Sequence, residues 1–467
     1  MAKTKIVCTI GPSSQHQRTL EAMIRQGMNV ARLNFSHGSH ADHATVIDRI
    51  REGSKAINKP VAILQDLCGP KIRVGEIDPP GIRLEAGDTL TLTSTPVSGS
   101  ENRVSVSYTE LPQDVEAGDL ILLADGMMEL EVIRTTDVDI DCRVIIGGVL
   151  TSHKGINLPS GTIRVPALTE KDKTDLAFGL SHDVDYVALS FVRRPEDIEE
   201  VKQIIARAGK KTPVVAKIEK HEAVRNIDAI IAAADGIMVA RGDLGVEIPL
   251  ETVPGIQKEL VRKANAAGKP VIIATQMLRS MVDAPRPTRA EATDVANAVL
   301  DGTDALMLSE ETASGNYPVK SVEYMARIAE NAESSYAYEK SFSMITDIQV
   351  SESVAHAACT LADHLNAAAI IASTQSGFTA SQLSRFRPKS HIIAMSPDKH
   401  TVRRLCLYWG CLPSEVPRAD DVDAMLETAV QTARDIGHVK TGDLIVITAG
   451  HPLWQPGTTN MIKVREI

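Results

Sequence analysis

Apolar residues along the chain recur in short runs separated by stretches of helical periodicity. The segment VVAKIEKHEAVRNIDAIIAAADGIMVARGD, residues 214–243, holds two such runs, 214–218 and 236–240, around a helix-like stretch. Runs of this length read as strands buried on both faces. Strand side chains alternate faces, so Lys217 and Glu219 point the same way at the end of the first run. The second run ends on Arg241-Gly242-Asp243. A charge pair at the end of an apolar strand is costly to bury unless other groups of the chain meet it.

The same reading extends along the chain. Residues 5–10 form a strand pattern that ends on Gly11-Pro12. Ser14, with Gln17 three residues on, predicts a capping box for a helix through Leu20, Met23 and Ile24 that stops at Gly27. A strand at 29–36 (NVARLNFS), a helix over about 41–56 and a strand at 61–66 follow. From Gly69 to Arg164 the period changes to alternation, in TLTLTST, RVSVSY, LILLADG, MELEVIR and CRVIIGG. That pattern predicts an all-β domain inserted in one βα-loop. The β/α rhythm resumes at Pro166, with strands at 186–191, 214–219, 236–240, 271–275 and 305–308.

Three strands before the insertion and five after it predict a closed (β/α)8 barrel of the TIM type. The expected division is a barrel over 1–68 and 166–342, an inserted β-barrel lid domain over 69–165, and a C-terminal open-sheet α/β domain over 343–467. The last is expected to hold a helix at 353–365 and strands at 369–373, 391–394 and 444–448.

Composition narrows the class. The 467 residues are 43% hydrophobic and 24% charged, and the formal net charge is −10. Such a balance gives no basic face for nucleic acid. The six cysteines show no C-x-x-C and no zinc spacing, so reduced thiols are expected. No run reaches the roughly 18 apolar residues of a membrane span, and MAKTKIVCTIGP has no apolar signal core. A cytoplasmic protein without membrane partners is expected.

In such a barrel the functional groups sit at the carboxyl ends of the strands. Those ends carry Arg32, Asn34 and Ser36 on one face of the second strand, with Leu33 and Phe35 on the other. Asp66 ends the third, Lys217 and Glu219 the fifth, Arg241-Gly242-Asp243 the sixth and Thr275-Gln276 the seventh. Glu219 and Asp243 are hard oxygen ligands suited to Mg²⁺ or Mn²⁺. Arg32 and Lys217 are cations for phosphoryl or enolate oxygens. Gly242-Asp243-Leu244-Gly245 can turn bare N–H groups toward an anion. Metal, cations and N–H groups together suit phosphoryl transfer. Neither a P-loop nor a dinucleotide fingerprint occurs, and the tripeptide Arg241-Gly242-Asp243 is not read as an adhesion motif.

The motifs KIVCTIGP, ARLNFSHG, AKIEK, GIMVARGDLGVEIP, ATQML and PRPTRAE resemble pyruvate kinase, in that family's order and over essentially the whole chain. The resemblance implies transfer of the phosphoryl group of phosphoenolpyruvate to ADP, giving pyruvate and ATP. It assigns catalysis to Lys217, Arg32 and Thr275. The substrate would be bound by Arg32, Lys217, the Gly242 and Asp243 amides and Thr275, and the metal by Glu219 and Asp243. Nucleotide contacts fall on Asn34, Phe35, Ser36, His37, Arg73 and Lys154, the last in HKGINLP. With Arg73 and Lys154 both in the insertion, that domain is expected to close as a lid. A metal-dependent barrel lyase and a non-catalytic regulator on the same fold are the alternatives. The first would need no nucleotide grip, and the second would lack the metal and lysine groups.

One departure stands out. Many members of the family bind K⁺ through residues matching Asn34, Ser36, Asp66 and the carbonyl of Leu67. After the third strand they commonly read D-T-K-G-P-E-I-R-T, where this chain has DLCGPKIRV, with Lys71 in place of the glutamate. This resembles the branch that works without K⁺. Two cations at about 4 Å would repel by roughly 4 kcal/mol at an effective dielectric near 20. Lys71 is therefore expected to substitute for K⁺, although Asn34, Ser36 and Asp66 are present.

In the C-terminal domain, Ser373 to Thr379 (STQSGFT) lies between a strand and a helix, and Thr374, Ser376, Gly377 and Thr379 can cradle a phosphate. The resemblance implies a phosphorylated-sugar or AMP activator there, with residues 451–460 closing over it; a sugar monophosphate is favoured. It also implies a homotetramer, with DAPRPTRAE (283–291) near a subunit contact.

Overall fold

The computed structural model describes residues 2–100, 102–159, 161, 164–338, 349–453, 455 and 457–467. Its centre is a closed barrel of eight parallel strands, each paired with its neighbours in sequence order. The strands are β1 (Lys5–Thr9), β2 (Met28–Asn34), β3 (Ala62–Asp66), β4 (Tyr186–Leu189), β5 (Val214–Ile218), β6 (Gly236–Ala240), β7 (Val271–Ala274) and β8 (Ala305–Leu308), and β8 closes on β1. All eight lie within two residues or so of their sequence-based bounds, because buried parallel strands are nearly continuous apolar runs.

Alternation sorts each strand into an outer and an inner set. The outer set packs with the surrounding helices in one large core. The inner set, including Val7, Val30, Leu64, Tyr186, Ala188, Val215, Met238 and Ile272, fills the barrel. One step further along the same inward faces stand Thr9, Arg32, Asp66, Ser190 and Lys217. The apolar layers thus end where the polar groups begin. At the opposite mouth Cys406 and Leu407 from the C-terminal domain join the inner cluster, and Tyr186 Oη donates to the Arg404 carbonyl at 2.7 Å.

One expected cap is corrected. Ser14 makes no capping box; its Oγ accepts the Gly11 N–H at 3.1 Å within the preceding turn. The first helix, Gln17–Gln26, starts from His16 without a side-chain cap. It buries Leu20, Met23 and Ile24 and ends at Gly27, whose φ of 128° a side chain would disfavour. The capping boxes fall elsewhere, at Ser39/Asp42, Thr169/Asp172 and Thr288/Glu291.

The insertion after β3 has its own apolar core, with Leu90, Leu92, Val104, Leu130, Val132 and Ile140 buried. Its described strands are bridged from one sheet edge to the other by residues 72–75, where the Gly75 N–H donates to the Ser105 carbonyl at 2.7 Å and the Val74 N–H to the Lys154 carbonyl at 2.9 Å. They form one six-stranded sheet, in the order Ile156–Asn157, Leu120–Leu123, Met128–Thr135, Asp139–Ile146, Thr89–Thr93, Arg103–Ser105, and a separate pair, Gly148–Leu150 with Ile82–Leu84.

The C-terminal unit is an open five-stranded sheet of β9 (Ala369–Ser373), β10 (His391–Ser396), β11 (Cys411–Glu415), β12 (Leu444–Gly450) and β13 (Thr459–Glu466). The order is β11-β10-β9-β12-β13, parallel except for the β12–β13 pair. Two apolar clusters cover its faces. It docks on the barrel through Arg387, only 2% exposed, whose guanidinium lies 3.0 and 2.8 Å from the two carboxylate oxygens of Asp304 beside β8. Arg387 also donates to Asn265 Oδ1 at 2.7 Å.

No cysteine is disulfide-bonded: Cys8, Cys142, Cys359, Cys406 and Cys411 are buried, and Cys68 is half-buried. No helix among the described residues is long and apolar enough to cross a membrane.

Candidate active site

The polar ends of the inward faces meet at the carboxyl mouth of the barrel. Lys217 Nζ lies 2.8 Å from Glu219 Oε1 and 3.3 Å from Asp66 Oδ1, and it donates to Ser190 Oγ at 2.7 Å. Ser190 passes the contact on, its hydroxyl donating to the Leu67 carbonyl at 2.7 Å. Arg32 Nε reaches Asp66 Oδ2 at 2.6 Å, and Arg32 Nη1 donates to Thr9 Oγ1 at 2.8 Å. Glu219 is fixed from its other side by the Phe191 N–H, 2.9 Å from Oε2.

Burial and charge compete at each group. Burial alone would lower the Lys217 pKa, but Asp66 and Glu219 more than offset it and hold the ammonium above the usual lysine range. Burial works against the Asp66 charge, and Lys217 with Arg32 outweighs it, so that carboxyl lies below its ordinary range. Glu219 goes the other way. Burial raises its pKa and the like charge of Asp243 adds to the rise, against the pull of Lys217. Two carboxylates whose mutual repulsion lifts a pKa are the donor set a divalent cation would relieve. No larger cluster of metal-ligating side chains occurs among the described residues. A cation there would draw its remaining ligands from substrate or water.

Asp243 lies in a short helix, Arg241–Glu247, that starts directly at the end of β6. Arg241 does not face the mouth freely: its two terminal nitrogens each lie 2.7 Å from Asp294, and Nη2 also donates to the Thr275 carbonyl at 3.0 Å. The Gly242 N–H, expected to be bare, donates to Thr275 Oγ1 at 2.7 Å. Thr275 and Gln276 have φ of 71° and 55°. A left-handed β-branched residue is strained, and such strain gathers at functional sites. Here it aims the Thr275 hydroxyl at Gly242.

Lys71 reaches this helix from the insertion, its Nζ 3.7 Å from Asp243 Oδ1 and 3.8 Å from Asp125 Oδ1. Among the described residues it makes no ion pair with Asp66. Arg73 and Lys154 are brought together within the insertion: Arg73 Nη1 donates to the His153 carbonyl at 3.0 Å, and the Lys154 carbonyl accepts the Val74 N–H at 2.9 Å. On the β2 side Asn34 Oδ1 accepts the Ser36 N–H at 3.2 Å, and the His37 carbonyl accepts His43 Nε2 at 2.9 Å. The Phe35 side chain is 2% exposed and stacks on the His43 ring, so it offers no face to a ligand.

Far from this mouth, Ser373, Thr374, Gln375, Ser376, Phe378 and Thr379 line a solvent-open cavity with Gly450 and residues 457–459. The Gly377 N–H donates to Thr374 Oγ1 at 3.0 Å, and Gly377 takes a φ of 88°. Thr379 Oγ1 meets Thr459 Oγ1 at 2.7 Å. His451 and Asn460 clasp the described ends of the covering loop through two hydrogen bonds of 2.8 and 2.7 Å; residues 454 and 456 of the loop lie outside the described residues.

The family model described as "Pyruvate kinase, barrel domain" matches residues 1–322, and "Pyruvate kinase, alpha/beta domain" matches residues 352–465. The chain belongs to the pyruvate kinase family. It is similar to "Pyruvate kinase 2" of Synechocystis sp., 49% identical over 469 residues that span 100% of this chain and 79% of the relative. "Pyruvate kinase" of Staphylococcus saprophyticus is 48% identical over 99% of this chain and 80% of its own length. "Pyruvate kinase" of Clostridium acetobutylicum is 44% identical over 100% of both chains. Coverage at full length makes this chain an enzyme of the pyruvate kinase family, as its motifs imply.

Three members of the polar cluster escaped the sequence reading. Ser190 and Thr9 lie on inward faces two residues beyond Ala188 and Val7, so alternation alone could have marked them. Asp294 sits on a helix distant in sequence, and nothing in the chain pointed to its pairing with Arg241.

Proposed function

We propose that the chain transfers the phosphoryl group of phosphoenolpyruvate to ADP in the carboxyl mouth of the barrel. The observation that carries this reading is the Arg32–Asp66–Lys217–Glu219 chain of ion pairs, set beside a second carboxylate, Asp243. An oxygen of the ADP β-phosphate attacks phosphorus, the phosphorus–oxygen bond to the enol breaks, and its electron pair stays on the enolate oxygen. Protonation at carbon then gives pyruvate.

Lys217, held protonated by Asp66 and Glu219, is a fixed cation for the moving phosphoryl group and the enolate oxygen; it is not the proton source. Such preorganised charge costs no rearrangement at the moment of reaction. Arg32 is pinned by Asp66 and Thr9 to meet phosphoryl oxygens. Thr275 and the amides of Gly242 and Asp243 receive the substrate carboxylate, which takes over the Gly242 N–H from Thr275 Oγ1. Glu219 and Asp243 would hold Mg²⁺ or Mn²⁺, which supplies charge to the phosphoryl oxygens. The nucleotide lies between the backbone of residues 34–37 and the pair Arg73 and Lys154, with the insertion closing over it.

K⁺ is not required in this reading. The Lys71 ammonium reaches Asp243, Asp66 is already held by Arg32 and Lys217, and the Leu67 carbonyl already accepts from Ser190. The C-terminal cavity takes the phosphate of an activator, with a sugar monophosphate preferred over AMP. Its hydroxyl lining and the amide at Gly377 support an anion there. A homotetramer in the cytoplasm completes the proposal.

The test is pyruvate release by the purified protein given phosphoenolpyruvate and Mg²⁺, with and without ADP. Release that depends on ADP, with stoichiometric ATP, is expected. Pyruvate formed equally well without ADP would replace this reading with a lyase or hydrolase.

A further inference from the structure

Three contacts of the insertion converge on the short helix Arg241–Glu247. Lys71 lies 3.7 Å from Asp243 at a half-exposed position. The Ala124-Asp125-Gly126 turn, left-handed at all three residues, leans on Val246, where a Cβ on Gly126 would come within 3.8 Å of Cγ1. Asn157, in the edge strand of the insertion's sheet, donates from Nδ2 to Glu247 Oε1 at 3.1 Å.

The third contact differs in kind because it is dry. Asn157 is 6% exposed and Glu247 3%. Lys220 Nζ reaches the same carboxylate oxygen at 2.6 Å. The other oxygen, Oε2, has no hydrogen-bond partner among the described residues; His221 Nδ1, 3.7 Å away, likewise has none. Replacing a buried ion pair by apolar side chains is often neutral or stabilising, so stability alone is a weak reason for a carboxylate here.

Its position supplies a better reason. Asp243 and Glu247 are four residues apart on one helix and so share a face. Lys220 directly follows Glu219. One buried carboxylate therefore ties the insertion to the elements that carry both metal-ligand candidates.

We propose that Glu247 is a positioning residue of the phosphoryl-transfer reaction: the anchor that receives the insertion through Asn157 and sets how it sits over Glu219 and Asp243. The proposal rests on the functional reading above. When the insertion lifts, Glu247 keeps Lys220 but loses Asn157. A hydrogen bond to a charged group then weights the closed arrangement by about tenfold to a hundredfold.

The test uses the full chain. Asn157→Asp sets a second carboxylate against Glu247, and Asn157→Asp combined with Glu247→Gln restores one carboxylate and one amide beside Lys220. Asn157→Ala removes the donor without burying a charge and covers a failure of the first variant to fold. In Asn157→Asp the KM for ADP should rise about tenfold or more, and amide hydrogen exchange in residues 156–158 and 244–248 should quicken. The double variant should recover both. Unchanged exchange in Asn157→Asp and Asn157→Ala would overturn the proposal, as would faster exchange with an unaltered KM for ADP, or a folded double variant that recovers neither. Exchange is read without substrate, so a protein that turned over no phosphoenolpyruvate would overturn the functional reading while the anchor was still tested.

Discussion

Asp66 decides how the mouth of the barrel carries its charge. It sits between Arg32 and Lys217 at 1% exposure. Removing one member of a buried charge network costs about 3–5 kcal/mol, because the partners are left uncompensated. Asp66→Asn should therefore destabilise the protein by about 3 kcal/mol at pH 7, read by urea unfolding. The pH dependence has a definite sign. The folded-state pKa of Asp66 is depressed, so its contribution is complete above the ordinary carboxylate value of about 4 and is lost as pH falls through the lower folded value. The gap between the two proteins should narrow in acid; a gap that widened would contradict the arrangement. Lys71 carries the other prediction at this scale. With tetramethylammonium as the only monovalent cation, turnover should stay within about twofold of that with K⁺, since the Lys71 ammonium already stands beside Asp243. Lys71→Glu should create a K⁺ requirement, and many-fold stimulation of the unsubstituted protein by K⁺ would refute the substitution.

At the level of elements, the helix Phe378–Arg385 links two places. It starts at the cavity built from Ser373 to Thr379, and it ends where Arg385 Nη2 donates to the Ala266 carbonyl of the barrel at 2.6 Å. Thr374→Ala and Thr379→Ala should each abolish stimulation by a sugar monophosphate and leave unstimulated turnover intact, measured as initial rates with and without the activator. Retained stimulation in both would remove the cavity from consideration. Elements were legible in the sequence where burial forces a simple pattern, as in the eight barrel strands. The cap at Ser14 was misread because Ser-x-x-Gln also fits a turn, in which Ser14 serves Gly11. Strands β11 and β13 were missed for a different reason. β11 contains a proline, and β13 is an edge strand whose mix of Met, Ile, Val and charged residues lacks a clean alternation. Arg32 and Lys217 followed from period two, and Asp66 from its place at a strand end. The contacts of Lys71 with Asp243 and Asn157 with Glu247 did not, because they depend on how the insertion lies on the barrel.

For the whole molecule the decisive joint is Arg387 with Asp304. It buries an ion pair between the C-terminal sheet and the barrel, and the Trp409 N–H adds a third donor to Asp304 at 3.2 Å. Arg387→Met should cost about 3 kcal/mol or more, since Asp304 stays buried and loses its main partner. Calorimetry should show the C-terminal unit melting earlier than in the unsubstituted protein; an unchanged profile would mean that the joint contributes nothing to docking.

The buried thiols bear on the same question. Burial pushes Cys142, Cys406 and Cys411 up to about 12, and it raises Cys8 and Cys359 as well. A thiol reacts as its thiolate and only in contact with solvent. Cys8 belongs to the outer barrel core, Cys142 to the core of the insertion, Cys359 and Cys411 to the C-terminal sheet, and Cys406 to the joint beneath the barrel. The chain thus carries a separate chemical clock in each of its parts. The order in which an alkylating reagent consumes these cysteines is the order in which the parts come open.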